Sequence, residues 1–150
     1  MMRGMTVPAR LTFVTLGAHD LPTLRRFYAG LGWPEGRHNS DEFASFLLTG
    51  VVLGLYPRHM LGEEAAGGGT GPANGEWTGV TLSINGETKE ECDQIWQSFV
   101  DAGATPIAAP TDRAYGVRSG YVADPEGNRW EVAWAPGMVF DDRGAVTSFG

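Results

Sequence analysis

The stretch that decides the fold lies near the end of the chain and reads Gly120-Tyr-Val-Ala-Asp-Pro-Glu-Gly-Asn-Arg-Trp-Glu-Val-Ala-Trp134. Its centre, Asp124-Pro-Glu-Gly-Asn128, has the composition of a tight turn, because Asp and Pro favour the early turn positions and Gly the left-handed one. Apolar, β-prone residues flank the turn, so we expect a hairpin. Glu131 lies on the second strand and points away from the face that Trp130 and Trp134 share. Whether Glu131 faces water or a cavity is therefore the central question.

The rest of the chain repeats one plan twice. In the first half, residues 11–16 are a predicted strand, and Asp20 is the predicted cap of a helix with apolar side chains at helical spacing. Gly32 is expected to end that helix. Two further strands are predicted at residues 43–48 and 51–56.

The second half follows the same order. Residues 80–84 are a predicted strand, and Thr88-Lys-Glu-Glu91 has the form of a helix capping box. Cys92 falls on the apolar stripe of the helix that follows, which predicts a buried, unreactive thiol. Three more strands complete the half: residues 105–108, 119–123 and 129–134.

A glycine-rich segment, residues 63–75, separates the halves and is predicted to be a flexible linker. The tail after Pro136 is weakly patterned. We therefore predict one domain over residues 1–150, divided as follows: module one about 9–60, the linker about 63–75, module two about 76–136, and a C-terminal tail 137–150.

Composition excludes several classes of function. The chain has 150 residues and a formal net charge of −7, which argues against nucleic acid or an anionic membrane as a partner. A single cysteine gives no disulfide framework. No apolar run reaches the roughly 20 residues of a membrane span, and the start has no signal-peptide pattern. We expect a cytoplasmic protein.

The duplicated plan, the closing Asp-Pro-Glu-Gly-Asn-Arg-Trp-Glu, and the pieces Arg26-Phe-Tyr28 and Leu31-Gly-Trp33 together resemble the vicinal oxygen chelate superfamily. That superfamily includes glyoxalase I, extradiol dioxygenases and bleomycin-resistance proteins. The resemblance implies an α+β fold in which two βαβββ modules form a curved mixed sheet around a central cup. It also implies a small-molecule ligand and a homodimer.

Metal-dependent members of the superfamily hold a divalent ion through four positions, on the first and last strands of each module. Carried onto this chain, those positions are Phe13, Gly54, Gly79 and Glu131. Three of the four have no side chain that coordinates a metal, and one carboxylate does not hold a divalent ion against water. The resemblance therefore implies a member without the usual metal, with Glu131 as a ligand only if a metal is present.

Other residues do not restore that site. A ligand shifted by one or two residues would find only hydroxyl groups, those of Thr12, Thr15, Thr81 and Ser83. The histidines share no short metal-ligand spacing with one another or with an acid. They are His19, His38 and His59.

Five residues are candidates for ligand binding. Glu131 is the candidate for binding a donor group or for general-base catalysis, against an exposed strand acid as the alternative. Trp33 and Trp77 lie at element ends and are candidates for a stacking wall, against packing as the alternative. Arg118 is a candidate anion clamp, against a surface ion pair as the alternative, and Tyr115 lies in the same loop.

Three functions remain open. The first, which we favour, is a metal-free protein that binds a small organic molecule in the cup. The second is a metal-dependent lyase or dioxygenase of the glyoxalase type. The third is a metal-free isomerase that uses Glu131 as its base, with Arg118 as an electrostatic clamp. Fold alone does not separate them, because function depends on the site.

Overall fold

The computed structural model describes residues 7–73 and 75–149. In the first half, the strands are β1 (Phe13–Ala18), β2 (Ala44–Leu47) and β3 (Val52–Pro57), and helix α1 (Leu21–Gly30) connects β1 to β2. Helix α2 (Arg58–Ala65) follows β3 directly. Residues 1–6, Asn74 of the predicted linker and Gly150 of the tail lie outside the described residues.

The second half contains a complete βαβββ unit. Its elements are β4 (Thr81–Asn85), α3 (Lys89–Asp101), β5 (Thr105–Asp112), β6 (Arg118–Ala123) and β7 (Arg129–Trp134). The C-terminal part forms a separate hairpin of β8 (Met138–Phe140) and β9 (Val146–Phe149).

The two main sheets have the same topology. The first has the order β1-β3-β2, with β1 parallel and β2 antiparallel to β3. The second has the order β4-β7-β6-β5, with β4 parallel to β7 and the others antiparallel. A single bridge between Glu35 and Phe46 occupies the place of a fourth strand in the first sheet. The predicted α+β class and the repeated strand-helix-strand plan are confirmed.

Helix α1 begins and ends where its sequence predicts. Asp20 accepts a hydrogen bond from the backbone N–H of Thr23 at 3.2 Å, which satisfies a donor that the first turn leaves free. The buried residues of α1 lie on one face of the helix: Leu21, Leu24, Phe27 and Tyr28. Gly32 follows the helix with a φ of 84°, a conformation that glycine adopts without strain.

Helix α3 also begins where its sequence predicts. The Thr88 hydroxyl accepts a hydrogen bond from the backbone N–H of Glu91, as the capping pattern predicts. Cys92 and Phe99 are its buried residues. Burial raises the pKa of the Cys92 thiol, so the thiol stays protonated at neutral pH, in agreement with the predicted unreactive role.

An aromatic cluster joins the two halves. The ring of Tyr28 lies 5.6 Å from that of Trp33 and 6.2 Å from that of Trp130, measured between centroids. Phe99 of α3 lies 5.6 Å from Trp130 and 6.4 Å from Phe27 of α1. Since these residues come from α1, the segment after it, α3 and β7, the cluster fixes the helix of each half against the other half.

The tight turn at residues 124–128 also connects the halves. Asp124 accepts hydrogen bonds from the backbone N–H groups of Glu126 and Asn128, which closes the turn. The buried Glu126 carboxylate accepts from the backbone N–H groups of His19 and Asp20, at 3.0 and 2.8 Å, and so binds the start of α1. Burial raises the pKa of Asp124, because its hydrogen bonds only partly replace lost water.

Two expectations need correction. The predicted linker begins inside a helix, because α2 extends to Ala65. Gly62 within this helix has no room for a side chain, because a Cβ there would clash with the carbonyl oxygen of Gly69. The tail, predicted as weakly patterned, contains the β8–β9 hairpin. None of the described helices is both long enough and apolar enough to cross a membrane.

Candidate functional site

The Glu131 carboxylate is held from both sides within the second sheet. Ser83 of β4 and Tyr121 of β6 are its register partners on the neighbouring strands. The Ser83 hydroxyl donates a hydrogen bond to Oε1 at 2.9 Å, and the Tyr121 hydroxyl donates to Oε2 at 2.8 Å. We call the side of the sheet that bears these three residues the Glu131 face.

The Glu131 face carries further polar groups toward β5. Arg113 donates from Nε to the buried Ser119 hydroxyl at 2.9 Å, and its guanidinium lies 6.0 Å from the centre of the Tyr121 ring. Hydrogen bonding to the Glu131 carboxylate is the largest cause that raises the pKa of Tyr121, and Tyr115 contributes in the same direction. Tyr121 is therefore a protonated hydrogen-bond donor at neutral pH.

The corresponding face of the first sheet is apolar where the second sheet is charged. Gly54 pairs with Thr15 as Glu131 pairs with Ser83. A Cβ at Gly54 would lie 3.4 Å from a ring carbon of Phe13 and 3.3 Å from the Thr15 hydroxyl. The Phe13 ring, 48% exposed, thus covers the place where a longer side chain at Gly54 would begin.

Arg118 lies on the opposite side of the second sheet from Glu131. It donates to both carboxylate oxygens of Asp93 on α3, at 2.8 and 3.1 Å, and to Asp112 at 3.4 Å. These carboxylates raise the pKa of Arg118 and already balance its charge. The structure does not bring Arg118 to the Glu131 carboxylate.

Trp33 and Trp77, the two candidates for a stacking wall, do not lie together. Trp33 stacks on Tyr28 and contacts Trp130, so it lies on the helix side of the second sheet. Trp77 is 62% exposed, and its indole N–H donates to the carbonyl of Val80. Tyr115 is 74% exposed in the loop between β5 and β6.

Sequence reasoning did not assign Tyr121 and Ser83 as partners of Glu131. For Tyr121 the signal was present, because a tight turn at residues 124–128 fixes the register of the hairpin. Counting outward from that turn places Tyr121 opposite Glu131. For Ser83 there was no local signal, since its pairing with Glu131 depends on a parallel contact between distant strands.

Comparison with known proteins agrees with this geometry. A family model for the Glyoxalase/Bleomycin resistance protein/Dioxygenase superfamily matches residues 10–132. The chain belongs to this superfamily. A comparison with curated proteins gave no match.

Solved structures of glyoxalase-type proteins share the fold. A glyoxalase-related enzyme from Fulvimarina pelagi is 26% identical, with a TM-score of 0.81 over 95% of this chain and 99% of that one. A glyoxalase/bleomycin resistance protein/dioxygenase family enzyme from Burkholderia phytofirmans PsJN is 24% identical, with a TM-score of 0.69 over 85% and 99%. A lactoylglutathione lyase from Agrobacterium tumefaciens is 21% identical, with a TM-score of 0.65 over 85% and 95%.

Three of the four residues that the sequence assigns to the superfamily's metal positions have no metal-coordinating side chain. Phe13 offers a hydrocarbon ring, and Gly54 lies beneath that ring. The structure corrects the expected position at Gly79, which precedes β4 and is not on the first strand of its module. Because Thr15 pairs with Gly54 as Ser83 pairs with Glu131, the counterpart of Phe13 on β4 is Thr81, which offers a hydroxyl group. Glu131 is the single donor of the set, and in the described part of the chain no three His, Cys, Asp or Glu side chains group together.

Proposed function

We propose that this protein binds a small organic molecule on the Glu131 face and does so without a divalent metal. One observation carries the proposal: the Glu131 carboxylate lies on an open sheet face, oriented by Ser83 and Tyr121. A carboxylate held by two neutral donors has a fixed direction, and such preorganisation favours binding of a ligand with a complementary group.

The chemistry of the site favours a ligand that donates hydrogen bonds. An ionised carboxylate accepts about four hydrogen bonds, and Ser83 and Tyr121 supply two of them to Glu131. A ligand N–H or O–H group would use the remaining capacity. The net charge of −7 further favours a neutral or cationic compound over an anionic one.

The metal-free part of the proposal depends on the donor set. Divalent ions in this kind of site need several convergent oxygen or nitrogen ligands. Phe13, Gly54 and Gly79 provide none. The second function, a metal-dependent lyase or dioxygenase, would require ligands from outside the four superfamily positions.

A metal-free isomerase is a second candidate, and the same carboxylate supports it. General-base catalysis needs an oriented acceptor within reach of a substrate proton, and Ser83 and Tyr121 orient Glu131. Arg118 does not support this candidate, because it is paired with Asp93 on the other side of the sheet.

The assembly and location that we propose are a homodimer in the cytoplasm. The apolar face of the first sheet, with Phe13 and Leu47 exposed, is a surface that a second copy of the chain would cover. Sedimentation equilibrium would measure this state directly.

Two measurements test the proposal. The metal content after separate incubation with Zn²⁺, Ni²⁺, Mn²⁺ and Fe²⁺, followed by dialysis, should stay well below one ion per chain. Ligand-observed NMR with a set of neutral and cationic aromatic amines should give hits that Glu131→Gln loses. The matched control is Glu63→Gln, which makes the same change of charge on the exposed part of α2.

The outcomes separate the candidates. One ion per chain that Glu131→Gln removes would overturn the metal-free assignment and favour the lyase or dioxygenase. Hits that bind Glu131→Gln and wild type equally would overturn the placement on the Glu131 face. Exchange of a carbon-bound proton of a bound carbonyl compound in D₂O, lost in Glu131→Gln, would favour the isomerase.

A further inference from the structure

A cavity of about 430 Å³ lies where the two main sheets meet. It runs between β1 of the first sheet and β4 of the second, beneath α2 and the Gly69–Pro72 segment. We call it the seam cavity. Its volume falls in the range of small-molecule sites, roughly 300–1,000 Å³. Its apolar lining comes from both halves of the chain: Val14, Leu16, Leu61, Val80 and Leu82.

Two arginines complete the lining of this apolar cavity. Arg58, the first residue of α2, donates from Nη1 to the carbonyls of Thr70 and Pro72, at 3.1 and 3.2 Å. Arg129, the first residue of β7, donates from Nη2 to the carbonyl of Gly75 at 3.1 Å. Backbone carbonyls satisfy part of the hydrogen bonding of these guanidinium groups but carry no net negative charge.

Among the described residues, no carboxylate balances the charge of either arginine at this cavity. In the described part of the chain, ion pairs within 4.0 Å join Arg25 to Glu35, Lys89 to Asp112, and Arg118 to Asp93 and Asp112. Neither Arg58 nor Arg129 has such a pair, and these two arginines line the same cavity. Two uncompensated cations at one apolar cavity attract an anion.

Arg58 also retains an unused donor. Its Nε is buried and has no hydrogen-bond partner among the described residues. A buried donor without a partner costs free energy, so the Arg58 guanidinium has hydrogen-bonding capacity that the surrounding carbonyls do not satisfy. Guanidinium groups match carboxylates in planar geometry, so a carboxylate fits this donor set well.

We propose that the seam cavity is a second ligand site, which binds an apolar carboxylate with its hydrocarbon part between β1 and β4. Arg58 pairs with the carboxylate, and Arg129 adds positive charge at the same cavity. The site is independent of the proposed function, because its lining includes Leu82 and not Ser83, Tyr121 or Glu131. Leu82 pairs with Trp130, and Ser83 with Glu131, so the two positions of β4 face opposite ways.

Titration calorimetry with octanoate and with 1-octanol tests this site. Octanoate should bind at least about tenfold more tightly than the alcohol, since only the carboxylate makes charge-assisted hydrogen bonds to Arg58. Arg58→Gln should remove that advantage and leave the affinity for 1-octanol unchanged. Arg37→Gln, the matched control, alters an exposed arginine away from the seam cavity and should change neither affinity.

A second variant and a mapping measurement fix the location. Leu61→Trp fills the cavity from α2 and keeps both arginines, so it should weaken octanoate and 1-octanol alike. In wild type, octanoate should shift the methyl resonances of Val80 and Leu82 and leave the ring resonances of Tyr121 in place. If Arg58→Gln does not fold, Arg129→Gln takes its place and should reduce the advantage of octanoate over 1-octanol, because it removes one of the two positive charges at the cavity.

Three results would overturn the seam site. These are equal affinity for octanoate and 1-octanol, equal losses in Arg58→Gln and Arg37→Gln, or shifts at the Tyr121 ring without shifts at Val80 and Leu82. The last result would place the octanoate on the Glu131 face instead.

Discussion

The hydroxyl of Tyr28 donates a hydrogen bond to the Asp124 carboxylate at 2.6 Å, across 96 residues of sequence. The same hydroxyl accepts from the indole N–H of Trp130 at 2.9 Å. All three groups are buried, so the Tyr28 hydroxyl satisfies the Trp130 N–H and adds a donor to those that Asp124 receives from its own turn. This arrangement connects α1 of the first half to the turn and the last strand of the second.

Removing the Tyr28 hydroxyl should therefore destabilise the protein. Tyr28→Phe leaves the Trp130 N–H without its acceptor and deprives buried Asp124 of a donor, which should lower the free energy of unfolding by about 1–3 kcal/mol. Urea denaturation followed by tryptophan fluorescence would measure the change. Tyr115→Phe, at an exposed tyrosine, should stay within about 0.5 kcal/mol of wild type. Equal effects of the two changes would contradict a structural role for the buried hydroxyl.

Because of the buried Tyr28 hydroxyl, we expect the protein to lose stability at alkaline pH. Burial, followed by the nearby Asp124 carboxylate, raises the pKa of Tyr28 well above its ordinary value of 10.0. The native state thus holds the phenol proton more tightly than the unfolded chain does. The protonated Tyr28 hydroxyl therefore stabilises the native state fully below pH 10.0, and this contribution is lost as the pH rises from there through the native pKa. Unfolding midpoints across this range should fall more steeply for wild type than for Tyr28→Phe.

Glu126 makes a second connection between the halves, and a conservative change should break it. Its two oxygens accept from the backbone N–H groups of His19 and Asp20, just before α1. In Glu126→Gln, one oxygen becomes an amide NH₂ that faces a backbone donor, so we expect a loss of about 1–3 kcal/mol. Thermal and urea unfolding would both show it. Glu76→Gln at an exposed site is the control, and a comparable loss there would refute the specific contact.

Much of the fold follows from local sequence patterns. The helix that follows Asp20 and the turn at residues 124–128 were predictable because capping and turn geometry depend on residues within a few positions. Helix α2 was not predictable in this way. Its buried residue is Gly62, and a glycine inside a helix signals the opposite of what the structure shows.

The candidate site was predictable only in part. Alternation along β7 correctly placed Glu131 and Trp130 on different faces of the sheet, because successive side chains of a strand point to opposite faces. Trp33 follows the end of α1, where the chain direction is free, and only the tertiary structure shows that it stacks on Tyr28. The seam cavity had no sequence signal, because Arg58 and Arg129 line one cavity only through the packing of the two halves.

The pairing of Tyr121 with Glu131 yields the last prediction. The carboxylate raises the pKa of Tyr121 above 10.0, mainly because the hydroxyl donates to it. Glu131→Gln removes the negative charge, so the pKa of Tyr121 should fall toward 10.0. The ¹³C chemical shift of the Tyr121 ring carbon that bears the hydroxyl, followed against pH, reports this residue alone. Glu63→Gln should leave that titration unchanged. If Glu131→Gln also leaves it unchanged, the hydrogen bond that orients the carboxylate does not form in solution, and Glu131 is not preorganised for a ligand.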